Sequence, residues 1–569
     1  MKKMIPALTA IVLIILIAGV ALGKQFYEKY SYSTEKADLY EYFNIYKEEE
    51  VPILLQDELV EEKAILADGM YYFDLDTVHK YLNTRFYWDE RESLLLYTTP
   101  TQVITAAVGG SSYDIDGVQQ DAGYLLSFTR PGEGEEERTI LYVAADFVKQ
   151  YTNFSYEPFT EPARMQVYTQ WQERRVADVK KATAVRFRGG VKSPILKEVA
   201  AGEKLIILEE MEDWSEVKTL DGFIGYVENK RLGEITTETP IPVTDYQVPE
   251  YTSLTRDHKI SLGWHVIGGV AGNDTLNEAV AQTKGLTVIS PTWFKLNDNE
   301  GNFTSFAASS YVNQAHNMGL EVWGLVDDFS YEVDIYEILS STTKRGILVQ
   351  GLVQAALDCG LDGINVDFET VNGTSGPHFV QFLRELSIQC RLNQLVLSVD
   401  NYVPFNFNDY YNREEQGVVA DYVIVMGYDE HWHGSGNVGS VSSIEYVRNG
   451  MERMTEEVPS GKVVNALPFY TILWKTTGTE VTDDYVTMIN QSNMVASMGM
   501  QTEWNDETCQ NYGELVSGNT TYQIWLEDLD SIQVKLNVMN NYDLGGVAVW
   551  RLGYEDPAVW DIISAYAGQ

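Results

Sequence analysis

The sequence predicts an α/β protein: a C-terminal (β/α)8 barrel, preceded by a small all-β barrel, an α+β module and one N-terminal transmembrane helix. Three observations carry this expectation. Between 253 and 569, short apolar runs alternate with helix-like segments, and eight such runs can be counted. Five strand-like runs separated by turn residues crowd into 178–235. Met4 to Leu22 is an uncharged stretch set between Lys2-Lys3 and Lys24.

That stretch is 19 residues long. At about 1.5 Å per residue it matches a hydrocarbon core of about 30 Å, whereas signal-peptide apolar regions run about 7–15 residues. Residues 1–24 are therefore expected to be a membrane anchor, with cleavage as a signal near Ala21-Leu22-Gly23 as the alternative. Lys2 and Lys3 hold the N-terminus in the cytoplasm, so the rest is exported, either anchored at the cell surface or secreted. Residues 25–48 are polar and tyrosine-rich, as in a stalk.

Between 49 and 164, Tyr71-Tyr72-Phe73, Leu94-Leu95-Leu96-Tyr97, Leu125-Leu126-Ser127-Phe128 and Ile140-Leu141-Tyr142-Val143 read as strands. An internal echo recurs at an offset of seventy: Asp76, Val78, Tyr81, Asn83 and Phe86 return as Asp146, Val148, Tyr151, Asn153 and Tyr156. Each copy reads as strand, short helix, strand. The module resembles the copper amine oxidase N-terminal-like modules of bacterial surface proteins. No His cluster accompanies it, so no copper is expected and a spacer or wall-contact role follows.

In 178–235, EDWSEVKTLDGFIGYV resembles the closing strands of a bacterial SH3-like barrel, with Trp214 expected in its core and glycines allowing tight bends. The resemblance implies either binding of peptidoglycan peptides or a rigid adaptor. Residues 236–252 hold three prolines and read as a stiff linker. The remaining 253–569 are expected to fold and cleave soluble substrates without the preceding domains.

Composition narrows the partners. With 83 acidic and 41 basic residues the formal charge is −42, and no basic run offers a footprint for nucleic acid. A neutral polymer gripped by stacking and hydrogen bonds suits an aromatic content of 12%. Three cysteines, Cys359, Cys390 and Cys509, cannot frame a disulfide scaffold and are expected as buried thiols. Asp429-Glu430-His431-Trp432-His433 lacks H-E-x-x-H spacing, so neither metal nor cofactor is expected, and a monomer is.

The expected barrel strands begin with 260–264, 286–290, 320–325 and 363–368, and continue with 395–399, 422–426, 463–467 and 545–550. The fourth carries the chemistry. In Leu361-Asp362-Gly363-Ile364-Asn365-Val366-Asp367-Phe368-Glu369, alternation puts Asn365, Asp367 and Glu369 on one face and Ile364, Val366 and Phe368 on the other. A row of buried polar groups would cost several kcal/mol unless satisfied or used. Trp264, His265, Trp293 and Asp327 fall at strand ends on the same presumed face.

This segment resembles the glycoside hydrolase family 18 signature D-G-x-D-x-D-x-E, with Asn365 where many members carry Asp. The likeness continues in Met426-Gly427-Tyr428-Asp429, Leu467-Pro468-Phe469-Tyr470 and Gly545-Gly546-Val547-Ala548-Val549-Trp550. It implies a TIM barrel enzyme with Glu369 as acid and base, Asp367 as helper and Tyr428 on the substrate's acetamido carbonyl. Asn365, Met426, Asp429, Trp550, Tyr470, Trp264 and Trp293 are then the expected substrate-binding residues, with Asn365 donating to Asp367. The implied reaction is substrate-assisted, retaining hydrolysis of β-1,4-linked N-acetylglucosamine in a cell-wall glycan or a chitin-type polysaccharide. The alternatives are a non-catalytic carbohydrate-binding barrel and an endoglycosidase acting on N-glycans.

Overall fold

The computed structural model describes residues 5–132, 138–241, 244 and 246–568. Lys2, Lys3 and Met4 of the expected anchor, and 242, 243 and 245 of the expected linker, lie outside the described residues. The chain divides into two compact units. One gathers 5–86, 106–113 and 119–248; the other gathers 87–105, 114–118 and 249 onward.

In the first unit, Ile5–Tyr30 is one helix, and its Leu8–Tyr30 span is long and apolar enough to cross a membrane. A seven-stranded sheet follows. The internal echo is visible in it: Met70–Asp74 leads into helix Leu75–Tyr81, and Thr139–Ala144 leads into helix Ala145–Gln150. The two leading strands pair antiparallel, Phe73 opposite Val143.

The small all-β barrel has strands at Thr183–Arg186, Ile195–Val199, Lys204–Glu210, Trp214–Thr219 and Ile224–Glu228. Its core is aliphatic, with Val185, Leu205, Ile207, Val217 and Val227. Trp214 is not in that core, contrary to expectation. Strand parity explains this: buried Ser215 and Val217 take the inward face, so Trp214 stands half-exposed beside Gly189 and Tyr226. Gly225 is required by close approach, because a Cβ there would lie 2.4 Å from the Arg186 carbonyl oxygen. The stretch read as linker begins inside this sheet, where Thr236–Glu238 pairs with Arg174–Asp178.

In the second unit, eight parallel strands close into a barrel: β1 (Ile260–His265), β2 (Val288–Pro291), β3 (Glu321–Asp327), β4 (Gly363–Asp367), β5 (Val396–Tyr402), β6 (Tyr422–Met426), β7 (Val463–Pro468) and β8 (Gly546–Trp550). β1 pairs with β8 and with β2, and pairing of β2 with β3 completes the ring. Alternation sorts each strand. Ile364, Val366 and Phe368 join the outer core, while Leu262, Leu325, Val396, Ile424 and Ala548 fill the interior. Glycine spares room where strands meet, since a Cβ on Gly546 would sit 2.3 Å from the Ile260 carbonyl oxygen.

Between β7 and β8, where the sequence reading assigned no element, five antiparallel strands form a separate sheet. They are Tyr470–Thr477, Glu480–Thr487, Thr502–Asn505, Gln510–Ser517 and Thr520–Trp525. Of the three free cysteines only Cys390 is buried; Cys359 and Cys509 are partly exposed.

Residues 87–105 belong to the barrel's unit through specific contacts. Asp89 accepts from the Thr342 N–H and hydroxyl, both at 2.6 Å, and the fully buried Arg345 donates to the Tyr87 hydroxyl at 3.1 Å. This revises the expectation that 253–569 behaves normally alone. Without Tyr87 and Asp89 the start of helix Thr342–Cys359 loses two hydrogen-bond partners. That truncated chain is expected to melt several degrees below the full chain, as thermal unfolding would show.

Candidate active site

The C-terminal ends of the barrel strands surround a pocket of about 130 Å³. It is lined by Trp264, Phe329, Asp367, Glu369, Asp400, Tyr402, Met426, Tyr428, Asp429 and Trp550. Seven of the ten residues expected at the site thus converge: Trp264 from β1, Asp367 and Glu369 from β4, Met426, Tyr428 and Asp429 from β6, and Trp550 from β8. The Trp264 and Trp550 rings lie 5.8 Å apart, tilted by 59°.

Asn365 sits behind this lining, fully buried. Its side-chain oxygen accepts from the Trp264 indole N–H at 2.9 Å and the Ser290 hydroxyl at 3.1 Å, and its amide donates to Asp400 Oδ1 at 2.8 Å. The expected donation from Asn365 to Asp367 is therefore not made. The amide is turned by its two donors toward the neighbouring strand β5 instead.

Two further expectations are corrected. Tyr470 does not line the pocket; its hydroxyl donates to Asp429, and its ring stacks on Tyr485 at 4.4 Å. Trp293 is buried in the outer core, its indole N–H donating to Asn273 at 2.8 Å. It lies two residues beyond the end of β2, where strand alternation no longer fixes direction. His265 is buried between Tyr311 and Thr275, and burial depresses its pKa to about 4, so it is neutral near pH 7. Asp327 is ion-paired with Lys295 at 2.7 Å. His433 pairs with Asp483, and His431 with the Asn437 carbonyl.

Sequence reasoning missed Asp400, Tyr402 and Phe329. β5 was read as ending at Val399, yet it runs on to Tyr402. Counting alternate residues from inward-facing Val396 would have placed Asp400 and Tyr402 inside the barrel.

The electrostatics are those of acids in a largely buried site. Burial above all pushes Glu369 up to about 7, aided by Asp429, Asp328 and Asp327 and opposed by the Tyr402 hydroxyl that donates to its Oε2. Burial also drives Asp367 well above the usual carboxylate range, with Glu369 and Asp400 adding to the effect. Asp367 Oδ1 is buried with no hydrogen-bond partner. Asp400 is likewise pushed up by burial, against the pull of the Asn365 amide. Asp328 fixes the end of β4 by accepting from the N–H groups of Glu369 at 2.9 Å and Thr370 at 3.0 Å. Such an arrangement can keep one carboxyl protonated near neutrality beside others that carry charge, the requirement for a general acid. Among the described residues no cluster of His, Cys, Asp and Glu could hold a metal ion.

The uncharacterized glycosylase YvbX of Bacillus subtilis is 22% identical over 285 residues, covering 47% of this chain and 80% of its own. The cortical fragment-lytic enzyme of Bacillus subtilis is 27% identical over 248 residues, covering 42% of this chain and 56% of its own. The chain thus spans little more than half the length of that relative. Among solved structures, a chitinase from Chromobacterium violaceum superposes with a TM-score of 0.49 at 21% identity, covering 55% of this chain and 99% of that one. Residues 181–245 match the bacterial SH3 domain model, and neither family match reaches the 49–164 module. Residues 265–555, just over half of the chain, match the model of the glycosyl hydrolases family 18: the chain belongs to that family and is a glycoside hydrolase.

Proposed function

We propose that this enzyme hydrolyses β-1,4-linked N-acetylglucosamine in cell-wall glycan by a substrate-assisted, retaining mechanism, with Glu369 as acid and base. The observation that carries the reading is Glu369 held near pKa 7 in a pocket at the C-terminal ends of the barrel strands, with Asp367 two residues away on the same strand face. Glu369 gives its proton to the glycosidic oxygen while the substrate's acetamido oxygen attacks the anomeric carbon; Glu369 then takes a proton from water. Asp367, whose Oδ1 lacks a partner, accepts from the acetamido N–H as that group becomes cationic. The Tyr428 hydroxyl holds the acetamido oxygen, and Trp550 stacks beneath the ring. Asp429, kept in place by Tyr470, adds negative potential.

Peptidoglycan is favoured over chitin because relatives with cortex-lytic names recur and an SH3 domain precedes the barrel. Digestion of purified sacculi should release fragments with new N-acetylglucosamine reducing ends. New muramic acid ends instead would overturn the assignment. The alkaline limb of kcat/KM is expected near pH 7, where Glu369 loses its proton.

The apolar helix Leu8–Tyr30 is proposed to anchor the enzyme in the membrane, with the following domains on the extracellular side. Full-length protein should sediment with membranes. A mature form beginning near Lys24 and free in the medium would show that the segment is a cleaved signal.

A further inference from the structure

We infer that Asp400, on β5, is a positioning residue that shares one proton and one negative charge with Asp367, taking the place that Asn365 leaves without an acid. The inference rests on the proposed roles of Glu369 and Asp367.

The orientation of Asn365 is the first support. An indole N–H can only donate, so the atom 2.9 Å from Trp264 Nε1 must be the amide oxygen. The amide nitrogen therefore faces Asp400 Oδ1 at 2.8 Å, and that oxygen can only accept. Asp400 is left with Oδ2 to carry or release a proton. The second support is register. Val366 lies opposite Val399, so Asp367 and Asp400 come next on the two parallel strands, both on the inward face, with backbones about 4.8 Å apart. Both line the pocket, and Asp367 Oδ1 lacks a partner.

The third support is charge. The groups facing this pair are Glu369 beyond β4, Asp327 at the end of β3 and Asp328 just after it, Tyr402 on β5, and Tyr428 and Asp429 beyond β6. Asp327 is answered by Lys295, and no Lys, Arg or His lines the pocket. Adjacent buried acids with no cation cannot all ionise. One proton and one negative charge stay with the pair, and no other bond changes. While Asp367 faces the acetamido N–H, the negative charge of the pair answers the developing positive charge. The amide of Asn365, which an acid in its place could not supply, steadies that charge on Asp400.

The test compares Asp400→Asn, Asn365→Asp and the double exchange with the wild type, by pH profiles of kcat and KM on an N-acetylglucosamine oligomer bearing a fluorogenic leaving group. Removing one acid of the pair in Asp400→Asn leaves the whole charge on Asp367 and should lower kcat by roughly 10-fold with KM little changed. It should also move the alkaline limb to higher pH, because the whole charge of the pair then rests on Asp367, two residues from Glu369. Asn365→Asp adds an acid to the cluster and should also move that limb to higher pH. The double exchange restores one acid and one amide and should bring both kcat and the limb back toward wild type. If Asp400→Asn fails to fold, the double exchange decides. An unchanged kcat and profile in Asp400→Asn, or a double exchange no better than the poorer single variant, would overturn the inference. Should Glu369→Gln remain fully active, the reading of the site itself falls; should it be inactive while Asp400→Asn keeps the wild-type profile, only the role of Asp400 falls.

Discussion

Glu369→Gln is expected to give a folded protein with kcat reduced by about 10²–10⁴-fold that still binds N-acetylglucosamine oligomers. The amide keeps the volume and can still accept the Tyr402 hydroxyl, but it has no proton to deliver. Loss of the return proton transfer from water should deepen the defect. Stability should move the opposite way. A carboxyl whose pKa rises from 4.5 unfolded to about 7 folded binds its proton more tightly in the native state. That contribution is present at pH 4 and is lost as pH climbs through 7, so Glu369→Gln should raise the melting temperature relative to wild type more at pH 8 than at pH 5. Stopped assays on a fluorogenic substrate and calorimetry at the two pH values check both effects. Retention of the β-configuration in the first-formed product, by NMR, tests acetamido participation; an α-product would exclude it. Wild-type turnover by folded Glu369→Gln would remove Glu369 from the chemistry.

Lys535→Met is expected to cost about 3–5 kcal/mol, the largest loss of stability foreseen for a single change here. The Lys535 ammonium and the Glu527 carboxylate meet at 2.5 Å with almost no exposure. Glu527 also accepts from Gln510 at 2.6 Å and Ser531 at 3.1 Å, and Gln510 in turn accepts from the Ser440 hydroxyl at 2.6 Å. This chain of bonds ties the inserted sheet to the segment after β6, which carries Tyr428 and Asp429. Burial already raises Glu527 to about 7, and Lys535 pulls against it. Without the lysine its pKa rises further, so the variant should suffer less at pH 5, where the carboxyl is protonated, than at pH 8. Urea unfolding at both pH values measures this. Glu527→Gln in the same chain should recover most of the loss, because no unpaired charge then stays buried.

Strand alternation made much of the site legible in advance. The row Asn365, Asp367, Glu369 and the opposing row Ile364, Val366, Phe368 are read directly from a period of two, and the structure divides them in that way. The method failed where a strand ended in polar residues or had already ended. Asp400 and Tyr402 resembled loop because Asp400-Asn401 breaks an apolar run, although β5 continues through them. Trp293 was assigned by nearness to a strand end, and the chain turns before reaching it. Trp214 was read by residue type rather than by parity with Ser215 and Val217. The five-stranded insertion between β7 and β8 went unseen for a related reason. Glu480–Thr487 is largely exposed on both faces, and Thr520–Trp525 is half-buried on both, so neither carries a clear hydrophobic period.

The absence of any cation among the residues lining the pocket bears on which sugar ring can be accepted there. A wall glycan alternates a neutral N-acetylhexosamine with one bearing a lactyl carboxylate or a peptide in its place. On the proposed reading, an acidic ring seated over Asp367, Glu369 and Asp429 would bring another negative charge into a small acidic pocket with no cation in its lining to answer it. A neutral ring carries no such penalty. The enzyme should therefore sort the two rings by electrical repulsion as much as by shape, cutting after the neutral one. Raising the salt concentration would leave that preference largely intact, because buried charges are poorly screened.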